Sequence, residues 1–273
     1  MSNPCENATG CEPRHILSLS GGKDSTALAL YMRDRVPNME YVFCDTGEEL
    51  QETYAYLLRI EALLGIKVKT LNPDRQFRHY LELYRGVLPD PRTRWCTRML
   101  KLRPFEDYVG TGSVQLYVGI RADEPHRTGY VSTKPNIHPR FPFVEDGLTH
   151  RDILRILDES GLGMPEYYKW RSRSGCYFCF FQQRREWVGL LERHPDLYWK
   201  AAGFEKYDPS TGQSFTWVQG ESLHELAKPE RVQQIKEDFE KRRKTFVDRG
   251  GSGTLQDVFA SDPSQEGCLV CHL

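Results

Sequence analysis

Apolar and polar positions along the first 120 residues fall into short runs that change period in a regular order. His15-Ile16-Leu17-Ser18-Leu19 is a compact apolar run that predicts a short buried strand. Residues 25–35 carry apolar side chains at helical spacing, with Leu28, Ala29, Tyr31 and Met32 on one side. Tyr41-Val42-Phe43-Cys44 predicts a second strand that ends at Asp45-Thr46-Gly47. A helix over about 50–64 should stop at Gly65, a residue suited to the left-handed end of a helix. Residues 66–71 alternate like a third strand, 100–109 read as a helix with Pro104 in its first turn, and 114–119 as a fourth strand. Strands alternating with helices predict βαβ units, hence an α/β fold with a doubly wound, mostly parallel sheet.

The second half reads differently. Residues 135–142 are proline-rich and predict a loop. Thr149 with Asp152 three residues on marks a helix start for 150–160, with Ile153, Leu154, Ile156 and Leu157 facing inward. Residues 165–180 are aromatic and basic, a short helix is expected at 184–193, and a long charged one from Pro229 to about Arg249. Val232, Ile235 and Phe239 give that last helix a narrow apolar stripe. Gly250-Gly251-Ser252-Gly253 precedes a cysteine-bearing tail. The expected organisation is an α/β domain over 1–165 and a C-terminal helical, cysteine-containing extension over 166–273.

Composition narrows the function classes. The chain of 273 residues has 37 Lys and Arg against 38 Asp and Glu, 39% apolar and 12% aromatic residues, which suits a globular protein with a real core. Near-neutral charge argues against a protein that holds nucleic acid by charge alone. No apolar run approaches 18 residues, so no transmembrane helix is expected, and the first residues lack a secretion-signal pattern. Eight cysteines without such a signal point to a reducing, cytoplasmic setting and to metal or redox chemistry.

The strongest motif is Ser20-Gly21-Gly22-Lys23-Asp24-Ser25, between the first strand and the first helix. The glycines let backbone N–H groups turn toward an anion, the helix start adds positive potential, Lys23 supplies a point charge, and Ser20 and Ser25 supply hydroxyl donors. The spacing differs from a Walker loop, and the plain alternative is an ordinary strand-to-helix turn. Arg121 and Arg127 follow the fourth strand, at the carboxyl edge where such sheets bind ligands; their alternative is two solvated loop arginines. Asp24 and Asp45 are candidates for magnesium or for capping a helix, with capping preferred for Asp24.

The Ser-Gly-Gly-Lys-Asp-Ser segment resembles the PP-loop of the ATP pyrophosphatases, the superfamily of PAPS reductases, tRNA-thiolating enzymes and GMP synthetase. Phe43-Cys44-Asp45-Thr46-Gly47-Glu48-Glu49 with Glu52-Thr53, and Gly119-Ile120-Arg121-Ala122-Asp123-Glu124 with Arg127, resemble further segments of PAPS reductase relatives, in the same order. The likeness covers about residues 14–180. It implies ATP cleavage between the α and β phosphates. Lys23, Arg121 and Asp45 would be catalytic, and Ser20, Gly21, Gly22, Lys23, Asp24, Ser25, Asp45, Thr46, Gly119, Arg121 and Arg127 would surround ATP and Mg2+.

The cysteines offer a second centre. Cys176-Tyr177-Phe178-Cys179 is a C-x-x-C pair, Cys268 and Cys271 form another, and Cys96 lies between arginines. In iron–sulfur sulfonucleotide reductases a Cys-Cys pair precedes Arg-Lys-x-x-Pro. On that resemblance Cys96, Lys101 and Pro104 match, and Thr97 stands in place of the second cysteine. A 4Fe–4S cluster on Cys96, Cys176, Cys179 and either Cys268 or Cys271 is thereby implied. A structural zinc on the two C-x-x-C pairs is the alternative. The tail Glu266-Gly267-Cys268-Leu269-Val270-Cys271-His272 also loosely resembles the nucleophilic tail of PAPS reductases.

Arg94-Trp95-Cys96-Thr97-Arg98 with Leu100-Lys101 resembles the ATP-pyrophosphatase subunit of DNA phosphorothioation systems. That resemblance implies adenylation of a DNA backbone site for sulfur incorporation, with a cysteine desulfurase as sulfur donor and other DNA-modification subunits and DNA as partners. The alternatives are a PAPS or adenylyl-sulfate reductase that releases sulfite, a tRNA-thiolating enzyme, and a silent nucleotide-binding subunit. DNA would meet Arg92, Arg94, Arg98, Lys101 and Arg103, or Arg171, Arg173, Arg184 and Arg185. The sequence leaves oligomeric state open, a homo-oligomer included.

Overall fold

A computed structural model describes residues 12–125, 127, 134–208, 210, 212–248 and 250. Within it the chain divides into two compact units, the first from residues 12–74 and 97–165, the second from 75–96 and 166–250. Residues 75–96, which fall within the first expected domain, group with the second unit.

The first unit is built on a parallel sheet. Strands β1 (Arg14–Ser18), β2 (Glu40–Cys44), β3 (Val68–Leu71), β4 (Val114–Tyr117) and β5 (Ile137–Arg140) stand in the order β3-β2-β1-β4-β5. Helices α1 (Lys23–Met32) and α2 (Gln51–Leu64) make the first two crossovers. The central strands β1, β2 and β4 are mostly buried, and because successive side chains point to opposite sides they feed two cores. Leu17, Leu19, Tyr41 and Phe43 join Leu28, Met32 and Ile60 of the two helices in one core. Ile16, Val42 and Leu116 join Phe105 and Val109 of α3 (Arg103–Val109) in the other. Each fully buried side chain of this size contributes about 1.5–3 kcal/mol by leaving water. Gly65 ends α2 at φ 63, as its position in the sequence predicts.

Three local expectations are corrected. Residues 137–140 are a strand, not a loop: Pro139 lacks an N–H, and β5 tolerates it by standing at the sheet edge. The helix before α3 starts earlier than residue 100, with a turn at Trp95–Thr97 and a wide turn at Arg98–Leu102. There the Arg103 N–H bonds to the Arg98 carbonyl five residues back, and Pro104 then falls in the first turn of α3. After the short helix α4 (Pro142–Glu145), α5 (His150–Glu159) begins with the expected Thr149–Asp152 box and buries Ile153 and Leu157. Leu154 is 38% exposed rather than inward. One turn of helix puts 153 and 157 in line, whereas 154 lies about 100° further round.

The second unit is helical with an aromatic core. It contains the short helix Phe77–Leu83, then α6 (Arg184–Arg193), α7 (Pro195–Ala202), a hairpin of β6 (Lys206–Asp208) and β7 (Gln213–Phe215), α8 (Leu223–Leu226) and α9 (Pro229–Asp248). Phe77 stacks on Trp95, with ring centroids 5.1 Å apart, and meets Phe178 at 4.3 Å. Trp217 stacks on Phe178 at 5.1 Å. No helix among the described residues is long and apolar enough to cross a membrane.

Candidate functional site

In the first unit the strand order reverses between β1 and β4, and ligands of such sheets bind at the carboxyl ends of the strands at that reversal. The loop 19–22 leaves β1 here and enters α1 at Lys23, with Gly22 as the residue before the helix. Gly21 has φ +71, and a Cβ there would lie 2.9 Å from Thr53 Cγ2 of α2, so both backbone and space require glycine. Ser25 is wholly buried and braces the loop from within. Its hydroxyl oxygen accepts from the Ser20 N–H (3.1 Å), lies 3.1 Å from the Ser20 hydroxyl, and donates to the Gly22 carbonyl (3.2 Å). The Thr26 hydroxyl donates to the same carbonyl at 2.8 Å. Ser25 thus shapes the loop, while the start of α1 and Lys23 give it positive potential.

The segment after β4 is pressed against this loop. A Cβ on Gly119 would lie 2.9 Å from the Asp24 carbonyl oxygen and 3.3 Å from the Ser25 nitrogen, so only glycine allows the approach. Two residues on, the Arg121 guanidinium reaches back to Asp24. Its Nη1 donates to Asp24 Oδ1 at 2.9 Å, its Nε to Asp123 Oδ1 at 2.9 Å, and its Nη2 lies 3.4 Å from Glu124. Glu124 also accepts from Arg127 Nη1 at 2.8 Å, and Lys23 Nζ lies 3.3 Å from Asp24 Oδ2. Burial disfavours the Arg121 charge, but Asp24, Glu124 and Asp123 outweigh it and hold its pKa above the ordinary value. Lys23, Arg121 and Arg127 thereby form one ion-pair network with Asp24, Asp123 and Glu124, beside the loops that follow β1 and β4.

The acidic candidates divide. Asp24 does not cap α1, which has no side-chain cap; both its carboxylate oxygens face cations. Asp45 stands just past β2, where its Oδ1 accepts from the Gly47 N–H (2.8 Å) and the Tyr54 hydroxyl (2.7 Å). Thr46 is buried and donates to Glu49 at 3.0 Å. Among the described residues no three His, Cys, Asp or Glu side chains are gathered to hold a metal ion. Cys96, Cys176 and Cys179 therefore do not gather into a three-ligand group among themselves. Cys268 and Cys271 lie outside the described residues.

Cys44, in the first unit, is no nucleophile. It is buried, its thiol lies 3.7 Å from the Lys101 carbonyl, and burial pushes its pKa up to about 12 against a weaker opposing pull from Lys101. In the second unit Cys176 and Cys179 lie on a tight turn, with the Cys179 N–H donating to the Cys176 carbonyl at 3.1 Å. Tyr177 and Phe178 between them are buried, which anchors the turn and leaves both thiols half-buried.

Two charged residues that sequence reasoning assigned elsewhere or missed build this turn. Arg171 is 0% exposed and donates to the carbonyls of Gly175 (3.0 Å) and Cys176 (2.7 Å), so it is a clamp on the cysteine loop and not a DNA contact. Glu186, also 0% exposed, accepts from the Ser172 N–H and hydroxyl (2.6 and 2.7 Å) and from the Gln183 N–H (2.8 Å), tying the two ends of the loop together. The signal for Glu186 was present as Gln183-x-x-Glu186 at a helix start; Arg171 had none. Arg184 is likewise engaged, by Glu221 at 2.9 Å.

The family model of the phosphoadenosine phosphosulfate reductase domain matches residues 14–179. An uncharacterized protein of Methanocaldococcus jannaschii is 25% identical over 192 residues, which is 66% of this chain and 45% of that protein. A tRNA-specific 2-thiouridylase of Marinobacter nauticus is 25% identical over 222 residues, 68% of this chain and 55% of that one. The chain thus spans about half the length of these curated relatives. Among solved structures, a phosphoadenylyl-sulfate reductase from Candida auris in complex with phosphate has 14% identity and a TM-score of 0.49, over 60% of this chain and 82% of that one. With more than half its length matched by one family model, and the loops of that match converging at the β1–β4 reversal, the chain belongs to the phosphoadenosine phosphosulfate reductase domain family.

Proposed function

We propose that the chain is an ATP pyrophosphatase that adenylates an acceptor for sulfur incorporation, with the DNA backbone as that acceptor. The observation that carries the reading is the gathering of Lys23, Arg121 and Arg127 where the β1 and β4 loops meet. An acceptor oxygen attacks the α-phosphorus of ATP, the bond to the bridging oxygen breaks, and its electron pair leaves on pyrophosphate. The charge that grows on the leaving group is what a loop with a lysine and arginine forks neutralises. Asp45 would hold Mg2+ that arrives with the nucleotide, and the ion would supply further charge neutralisation. The Cys176–Cys179 turn is suited to thiolate ligation, and a 4Fe–4S cluster there, completed by cysteines that include the tail, remains part of the proposal, with zinc as its alternative. A cysteine desulfurase would deliver the sulfur.

The test is transfer of label from [α-32P]ATP to DNA or tRNA, with iron, sulfide and zinc analysis of the same preparation. Label on DNA, lost in Lys23→Ala, is the expected result. Label on tRNA alone moves the acceptor to RNA. Sulfite release from adenylyl sulfate or its 3′-phosphate with a thiol reductant, without ATP cleavage, replaces the reading with a reductase.

A further inference from the structure

We infer that the outer side of the cysteine loop in the second unit binds single-stranded nucleic acid, taking an unstacked base on Phe180 and Phe181 and its flanking phosphates on Arg94 and Arg173. The inference rests on the proposal that the acceptor is a nucleic acid, and it names the surface that receives it. Four observations carry it. First, the Phe181 ring has two guanidiniums near it, Arg94 at 5.8 Å and Arg173 at 5.5 Å from its centroid. Second, the Phe180 ring pairs with it at 4.4 Å, and both rings are half-buried, whereas Tyr177 and Phe178 of the same loop are buried. The loop therefore sends two of its four aromatic side chains inward as anchors and leaves two at the surface.

Third, Arg94 is fixed. Its φ of 41 is in the left-handed region, which a non-glycine residue adopts only where its surroundings impose it. Here Asp90 imposes it: its Oδ1 accepts from the Arg92 and Thr93 N–H groups at 2.7 Å, and its carbonyl accepts from the Arg94 N–H at 3.0 Å. The next residue, Trp95, is 1% exposed and stacked between Phe77 and Tyr84. Fourth, Arg171 is wholly buried and turned onto the loop's own carbonyls, whereas Arg94 and Arg173 lie beside the half-buried Phe181 ring. Phe181 lies two residues from Cys179, and Arg94 two from Cys96.

The partner class follows from chemistry. A ring pair with guanidinium planes beside it offers faces to a flat heterocycle and forks to phosphate. A duplex keeps its base faces stacked inside; a single strand exposes them.

The experiment is fluorescence anisotropy with labelled 12-nucleotide DNA and RNA strands of one sequence and the matching duplex. The full chain is compared with Phe181→Ala, Phe181→Tyr, Arg173→Ala and the α9 surface variant Arg243→Ala. Single strands are expected to bind more tightly than duplex, and the tighter of DNA and RNA identifies the acceptor's sugar. Phe181→Ala should weaken binding about tenfold or more, and Phe181→Tyr should restore it. Arg173→Ala should weaken it and flatten the salt dependence. Arg243→Ala should stay within about twofold. Preference for duplex, an unchanged Phe181→Ala, or an equal loss in Arg243→Ala overturns the inference. If oligonucleotide binding follows these residues while ATP is not cleaved, the surface stands and the adenylation reading fails. If ATP is cleaved but binding ignores them, the reverse holds.

Discussion

Asp24 has a cation on each of its carboxylate oxygens, Arg121 on one and Lys23 on the other. With Asp24 and Arg121 side chains only 9% and 13% exposed, removing either charge leaves its partner poorly solvated. We expect Asp24→Asn and Arg121→Gln each to destabilise the protein by about 1–3 kcal/mol in urea unfolding, and the double variant to cost clearly less than their sum. Strict additivity would show that the pair is not coupled. Gly119→Ala adds a methyl where backbone atoms of Asp24 and Ser25 already lie within 3.3 Å, so the first turn of α1 has to move. A loss of about 1–3 kcal/mol together with lost ATP cleavage is expected, and unchanged turnover would contradict the close approach. Cys44 gives the pH prediction. Its folded pKa of about 12 lies above its unfolded value, so the native state keeps a proton that the unfolded chain gives up. The stability it contributes is complete below about pH 8.5 and is lost as pH rises toward 12. Peptide mapping after alkylation at pH 8 should find Cys44 unmodified in the native protein and modified after unfolding; native labelling would contradict its burial.

At the scale of elements, the sequence was most legible where a strand or helix is long, periodic and punctuated. β1, β2, α1 and α2 carry their periods openly, Gly65 marks its helix end, and Thr149 with Asp152 marks a helix start. β5 was hidden because Pro139 reads as a breaker, and only its place at the sheet edge makes that harmless. The turns at 95–102 were hidden because the wide turn that accommodates Pro104 has no compositional mark. The loop after β1 was legible as a motif, since its geometry requires glycine at 21 and uses the hydroxyls of Ser20 and Ser25. What the motif does not reveal is direction: Ser25 faces into the loop, Asp24 faces Arg121, and Arg171 points to the carbonyls of the cysteine turn. Those orientations depend on β4 and on the aromatic core, far away in the chain.

At the scale of the whole molecule, the chain holds a nucleotide-type loop in one unit and a thiol turn in the other. The sequence located both motifs but placed residues 75–96 in the first domain. Phe77 and Trp95 stack on one another inside the second unit, and aromatic stacking leaves no period to read. The short helices and hairpin between 195 and 226 went unread, although Ser222-x-x-Glu225 marks the start of α8. The account turns on what the loop after β1 does to ATP, and 31P NMR of the products measures it directly. With magnesium and acceptor present, the account predicts AMP or adenylated acceptor together with pyrophosphate, and at least a hundredfold slower turnover in Lys23→Ala. ADP with orthophosphate, or equal turnover in Lys23→Ala, would contradict it.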